Sequence, residues 1–240
     1  MTDVTINESE HQTPDVNARA SQAPENSRRV AQSKNEPYGM ATVTITPGTP
    51  DFNRFLTARN RSVIRGFDDV SIAISSLFRT VNAVKHPELV QAIQDWFNEL
   101  HDENNLMKKN LEVHISTIHV DENDPFFSST EFSPFRFESV QLNFNNQNTM
   151  RFYKHIFEMN NLLTQMYKFN TLGLLPVSDY NVMAHNIIRS LNLYIERVKK
   201  TLNVSRRVKG AYSPDEFIEK VKQYKSVQAY IAAELSSKRR

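Results

Sequence analysis

The 240-residue sequence lacks cysteine and contains no long apolar run. Without cysteine the chain forms no disulfide and no thiolate metal site, which is typical of proteins from a reducing compartment. The N-terminus has no basic start followed by an apolar stretch, and no window of about 18 uninterrupted apolar residues occurs in the chain. We therefore expect a cytoplasmic protein that neither enters nor spans a membrane.

Glycine is also scarce, with 5 residues in the whole chain. They lie too far apart to form a phosphate loop of the GxxxxGK or GxGxxG type. His114 and His119 do not have the spacing of a helical metal-binding pair, and no GxSxG sequence marks a nucleophile. The sequence therefore predicts no enzyme, and we expect no catalytic residue, metal, cofactor or small-molecule substrate. Low glycine favours a mainly helical protein, because glycine destabilises helix interiors.

The chain divides into a polar tail and one larger domain. Residues 1–38 are rich in Ser, Thr, Asn, Gln, Glu and Pro, and such a segment buries too little apolar surface to offset its ordering entropy. We predict a disordered tail over 1–38 and a mainly helical domain over 39–240. The domain begins with MATVTIT, whose alternating β-branched residues predict one short strand before the turn at Pro47. The same segment also fits an ordered arm that packs on a partner subunit.

Helical spacing of apolar residues dominates from Asp51 onward. The clearest stripe predicts one amphipathic helix over residues 87–118. Two further helices are predicted over 149–170 and 177–202, separated by TLGLLP, in which the glycine ends one helix and the proline opens the next. A final helix is predicted from Ser213, whose side chain we expect to cap it.

The small net charge of +2 conceals an uneven distribution. Residues 86–138 carry 3 basic and 11 acidic side chains, whereas residues 189–240 carry 13 basic and 5 acidic side chains. The densest basic run, ERVKKTLNVSRRVKG, includes Arg206 and Arg207. Clustered positive charge of this kind binds nucleic-acid phosphates by releasing counterions, so we predict that Arg206 and Arg207 contact DNA. Lysine and arginine on a solvated helix face give the same pattern.

The segment VQLNFN at 140–145 combines an apolar and an amide face. In a strand, every second residue points to a core, and the intervening Gln141, Asn143 and Asn145 point outward. Amide side chains can contact an adenine edge through two hydrogen bonds, and a two-stranded ribbon fits the major groove of DNA. Since this segment supplies only one strand, we expect the second strand from a symmetric dimer. An ordinary amphipathic strand in a protein that binds no DNA gives the same alternation.

The order of this strand, a helix, a short turn and a second helix resembles the ribbon-helix-helix fold of the Arc and MetJ repressors. The resemblance covers about residues 138–202 and is clearest at QLNFN, TMRFYKHIF and LLPVSDYNVMAHNII. It implies that Gln141, Asn143 and Asn145 occupy base-reading positions. It also implies that Val177 and Ser178 form the helix start that holds a phosphate. In the simplest members of that family the ribbon lies near the N-terminus and the helices are shorter.

A broader resemblance covers about residues 63–227. The long helical region, the Phe-rich connector, FRFESVQLNF, LNLYIERVKK and KGAYSPDEF together resemble the AcaB-like transcriptional regulators carried by conjugative plasmids and integrating conjugative elements. This resemblance implies a homodimer that binds double-stranded DNA and regulates conjugation genes. Two alternatives remain open: an accessory protein that acts at an origin of transfer, and a helical interaction module that binds no DNA.

Overall fold

The described part of the chain covers nearly all of the predicted domain. The structure, a computed structural model, describes residues 39–57, 62–81, 83–119, 123, 125–133, 135–205, 207–208 and 211–236. The predicted tail of residues 1–38 lies outside these residues, as does Arg206.

Helices make up most of the described chain. They are α1 (Pro50–Thr57), α2 (Ser62–Thr80), α3 (Pro87–Ser116), α4 (Pro125–Ser128), α5 (Gln147–Thr171), α6 (Val177–Thr201), α7 (Asp215–Tyr224) and α8 (Val227–Tyr230), followed by a π-helical turn at Ile231–Leu235. The strands are β1 (Ala41–Ile45), β2 (Val140–Phe144), β3 (Arg207–Val208) and β4 (Ala211–Tyr212). The predicted fold class, mainly α with a short β-ribbon, is confirmed.

The long central helices agree closely with the apolar periodicity of the sequence. Helix α3 spans 30 residues and buries the predicted stripe through Leu89, Ile93 and Trp96. Helix α5 ends before Gly173, which has a φ of 74° and so adopts a left-handed conformation that favours glycine. Helix α6 follows after Pro176, as the sequence predicts.

Helix α5 lies at the centre of the packing. It runs antiparallel to α6, because Phe152 near its start stacks on Tyr194 near the end of α6, with ring centroids 4.0 Å apart. It runs parallel to α3, since Gln94 bonds to Asn148 in the first turn of α5 while Lys108, further along α3, pairs with Glu158. Helix α2 contacts both α5 and α6 and completes the core.

The β-ribbon is formed within one chain. Strands β1 and β2 pair antiparallel, with Thr42 opposite Asn143 and Thr44 opposite Gln141. The expectation that a partner subunit supplies the second strand is therefore wrong. The strand predicted from MATVTIT takes that place, because its alternating β-branched residues match the alternation of β2.

A ribbon shared between two subunits would bury apolar side chains of β2, α5 and α6 across the dimer axis. Six of the eight side chains concerned are instead buried within the single chain: Leu142, Ile156, Leu163, Ile187, Leu191 and Ile195. The other two, Val140 and Phe144, pack against the same core. An intertwined interface is not needed to bury these residues.

The C-terminal region differs from the prediction of one continuous helix. Helix α7 ends at Tyr224 and is followed by Lys225, which has a φ of 63°. Helix α8 begins after Ser226, whose side chain accepts from the backbone N–H of Ala229. The side chain of Ser213 does not cap α7, because its hydroxyl donates to the carboxylate of Asp215. The β3–β4 hairpin and α4 were not predicted, since elements of two to four residues show no measurable periodicity.

Candidate nucleic-acid interface

The outward-facing side chains of strands β1 and β2 are all polar and uncharged. We call this surface the ribbon face. It consists of the exposed side chains of Thr42, Thr44, Thr46, Ser139, Gln141 and Asn143. Successive residues of a strand point to opposite sides, so the alternation of each strand places all six on one side. This confirms the predicted orientation of Gln141 and Asn143 away from the core.

Hydrogen bonds across the ribbon fix part of the ribbon face. The Thr42 hydroxyl donates to Oδ1 of Asn143 at 2.7 Å. At the other end, the hydroxyls of Thr46 and Ser139 share a hydrogen bond of 2.7 Å. The positions of these polar groups are thus set before any ligand binds.

The inner surface of the ribbon is anchored in the core. Ile45 and Leu142 are fully buried, and the Phe144 ring contacts the Tyr153 ring edge-on at 6.0 Å. The hydroxyl of Ser71 on α2 donates to the backbone carbonyl of Asn143 at 3.2 Å. This bond uses a backbone acceptor of β2 and connects the ribbon to α2.

Asn145 lies outside the ribbon face. Its side chain is exposed, but its Oδ1 accepts a hydrogen bond from the Ser75 hydroxyl, so this amide is bonded to α2 and not to the ribbon. Together with Asn146, Phe78 and Arg79 it lines a small open pocket of about 210 Å³. The structure therefore brings Gln141 and Asn143 together and places Asn145 beside them, at the ribbon end next to α5.

Val177 and Ser178 lie at the exposed start of α6, as predicted. The Ser178 hydroxyl donates to the carboxylate of Asp179 at 3.0 Å, and Tyr180 donates to the carboxylate of Asp51 at 2.8 Å. The Asp179 carboxylate therefore lies in the first turn of α6, and the Asp51 carboxylate contacts α6 through Tyr180. Their negative charge opposes a phosphate at this helix start, although the helix dipole favours one.

The basic run at the end of α6 is largely paired within the chain. Arg197 forms an ion pair with Glu103 of α3, and Lys199 lies 3.4 Å from the carboxylate of Asp69 on α2. Lys200 donates to the backbone carbonyl of Leu235. Within this run, Arg207 begins β3, and its side chain, like the whole of Arg206, lies outside what the structure describes.

A polar seam runs between α3 and α5. On this seam the amides of Gln94 and Asn148 bond to each other, and Arg151 donates to Oδ1 of Asn98 at 2.8 Å. The seam consists of Gln94, Asn98, His101, Asn148, Arg151 and His155. Both histidines are buried, and burial lowers the pKa of each to about 4. At neutral pH these histidines are therefore uncharged.

An open cleft of about 680 Å³ lies between the start of α3 and the end of α7, with Lys85, Lys222 and Lys225 on its rim. Among the residues that the structure describes, no group of three or more His, Asp or Glu side chains could hold a metal ion. In the same residues, no helix is long and apolar enough to cross a membrane.

Sequence reasoning missed the contribution of β1 to the ribbon face. Thr42 and Thr44 point to the same side as Gln141 and Asn143 because the two strands pair in register. The available signal was the alternation of threonine with valine and isoleucine in TVTIT, which matches the alternation of VQLNF.

Comparison with known proteins gives one likeness at the level of the fold. No protein-family model matches the chain, and no curated protein matches it in sequence. Among solved structures, the fold is similar to the crystal structure of selenomethionine-containing AcaB from uropathogenic E. coli. The TM-score is 0.56 at 8% sequence identity, over 82% of this chain and 90% of that chain. This supports the AcaB-like fold expected from the sequence.

Proposed function

We propose that this protein is a dimeric, sequence-specific DNA-binding transcriptional regulator of conjugative transfer genes, and that it acts without catalysis or a cofactor. The observation that carries the proposal is the ribbon face, a two-stranded polar surface presented by a single chain and anchored in its core. A two-stranded ribbon of this size can enter the major groove, where base edges carry a distinct pattern of donors and acceptors.

The chemistry of the ribbon face suits base recognition. Hydroxyl and amide groups both donate and accept, so they can match the mixed donors and acceptors of base edges. A carboxylate on this surface would be repelled by phosphates, and a row of lysines would bind them irrespective of sequence. The ribbon face has neither, which supports a role in sequence readout.

Phosphate contacts would come from basic side chains beside the ribbon. Arg79 lies in the pocket at the α5 end of β2, and the exposed Arg136 precedes Ser139 by three residues at the other end. Arg206 and Arg207 remain candidates for this role. The backbone N–H groups of Val177 and Ser178 are weaker candidates, because the carboxylates of Asp179 and Asp51 oppose a phosphate there. Such contacts fix the position of a protein on the duplex and leave sequence selection to the base contacts.

The regulatory part of the proposal rests on the family resemblance and on the fold. The sequence resembles AcaB-like regulators of conjugation, and the fold similarity to AcaB supports that resemblance. A regulator binds upstream of the genes that it controls, whereas an accessory protein binds at the origin of transfer. The position of the binding sites therefore separates these two functions.

Selection from duplexes with a randomised centre tests the proposed function. The full chain should enrich one sequence motif, and footprinting should then place matching sites at promoters of transfer genes. Binding should weaken with rising salt, because phosphate contacts release counterions. Failure to retain any duplex at low salt would contradict the proposal and favour the helical interaction module. Sites confined to an origin of transfer would contradict the regulatory role.

A further inference from the structure

The amide of Asn143 is held in one orientation by a residue of the other strand. Oδ1 of Asn143 accepts the hydroxyl of Thr42 at 2.7 Å across the ribbon. Thr42 and Asn143 are directly opposite each other in the register, and both side chains are exposed. Among the residues that the structure describes, none accepts a hydrogen bond from Nδ2 of Asn143. The bond therefore leaves Nδ2 as the amide group available to a ligand.

A fixed amide discriminates between bases better than a free one. An asparagine that rotates freely can present either its NH₂ group or its oxygen, and so it can satisfy both acceptors and donors on base edges. With Oδ1 turned toward Thr42, Nδ2 can donate to N7 or O6 of guanine, N7 of adenine or O4 of thymine, whereas the donor N4 of cytosine is disfavoured. Adenine can be bound by both amide groups, because the second lone pair of Oδ1 can accept from N6 while Nδ2 donates to the adjacent N7, whereas cytosine offers Nδ2 no acceptor in the major groove.

We propose that Thr42 is a specificity-determining residue of the DNA interface, which acts by positioning the Asn143 amide. The proposal rests on the proposed function, because it concerns how the ribbon face selects bases. It also assigns part of base recognition to β1, which lies about a hundred residues before β2 in the chain. One chain then contains both the contacting amide and the residue that orients it.

Three variants of the full chain separate positioning from other roles. Thr42→Val removes the hydroxyl and keeps a β-branched side chain that suits an exposed strand, so the ribbon should remain folded. Thr42→Ser keeps the hydroxyl and serves as the matched control. Asn143→Ala removes the amide, and the double variant Thr42→Val/Asn143→Ala completes the cycle. Thermal unfolding of each variant checks that the fold is retained.

The readout is the ratio of affinities for the selected duplex and for duplexes with one base pair replaced. We expect Thr42→Val to lower this ratio about fivefold at the base pair that depends on Asn143, since a hydrogen bond of this kind contributes about 1 kcal/mol. Thr42→Ser should retain the ratio of the original chain. In the Asn143→Ala background, Thr42→Val should cause no further loss, because its effect passes through the amide.

The outcomes distinguish this inference from the proposed function. If the original chain selects a sequence and Thr42→Val keeps its full discrimination, the inference is wrong and the proposed function stands. If the losses from Thr42→Val and Asn143→Ala simply add, Thr42 acts on its own and positioning is again excluded. If the original chain selects no sequence, both the proposed function and the inference fail.

Discussion

At the scale of single residues, Gly48 shows how closely the segment after β1 is fitted to α5. A Cβ atom built at Gly48 would overlap the side chain of Thr164, whose hydroxyl donates to the backbone carbonyl of Asn160. Asn160 also accepts from the N–H of Gly48 at 3.0 Å and donates to the carbonyl of Thr46 at 2.9 Å. The turn that ends the ribbon is therefore positioned by α5.

We expect Gly48→Ala to lower the free energy of unfolding by about 1 to 3 kcal/mol, as overpacking of a filled site does. Gly39→Ala is the matched control, because a Cβ at Gly39 meets no atom within 4 Å. Urea unfolding of both variants measures the difference. Equal stability of the two variants would show that Gly48 does not approach α5 as described.

At the scale of elements, the sequence predicted which face of a helix or strand is buried, and where the element begins and ends, better than it predicted which elements pair with each other. Local periodicity in the sequence is enough to predict that Leu142 points to the core and where α3 begins and ends. The pairing of Thr42 with Asn143 joins residues 101 positions apart, and alternation alone does not specify which strand pairs with which. In the same way, the sequence of the basic run does not show that Arg197 forms an ion pair with Glu103 on α3.

The polar seam between α3 and α5 makes the stability of the fold depend on pH. Burial is the largest cause of the lowered pKa of both His101 and His155, which is about 4 in the folded chain and near 6.5 when unfolded. The charged Arg151 lowers the pKa of His101 further, and a hydrogen bond with Asn148 raises it. Near His155, the Glu158 carboxylate raises the pKa, and Lys108 lowers it by a smaller amount. At pH values between about 4 and 6.5, these histidines are therefore protonated in the unfolded chain and neutral in the folded chain.

We therefore expect the free energy of unfolding to fall as the pH is lowered from about 6.5 to about 4, and these two histidines to cause no change above about pH 7. Each histidine contributes up to about 1.4 kcal/mol per pH unit in that window. Urea unfolding at several pH values measures the slope. His155→Gln removes one titrating group and should make the slope shallower. An unchanged slope in this variant would mean that His155 is accessible to protons in the folded chain.

At the scale of the whole molecule, each chain carries its own two-stranded ribbon. A dimer would therefore present two ribbon faces, and its two-fold symmetry would match a palindromic site. The apolar residues that a shared ribbon would place at the dimer axis are already buried within one chain, so any dimer would form through other surfaces. This separates dimerisation from the formation of the ribbon.

Sedimentation of the full chain should give twice the monomer mass, and footprinting should show two protected half-sites about one helical turn or a multiple of it apart. The ribbon should remain folded when the dimer is dissociated by dilution, because its pairing is internal. A monomer that protects a single uninterrupted site would contradict the dimer. Loss of strand signal on dilution would contradict the internal ribbon.

The central claim is that the ribbon face contacts base edges. Affinities of Gln141→Ala and Asn143→Ala for the selected duplex and for a duplex of random sequence test it most directly, with Asn186→Ala as control for an exposed amide on α6. The account predicts that each ribbon variant loses about 1 to 3 kcal/mol on the selected duplex and keeps its affinity for random sequence, while the control is unchanged on both. An equal loss on both duplexes, or no loss on either, would contradict it.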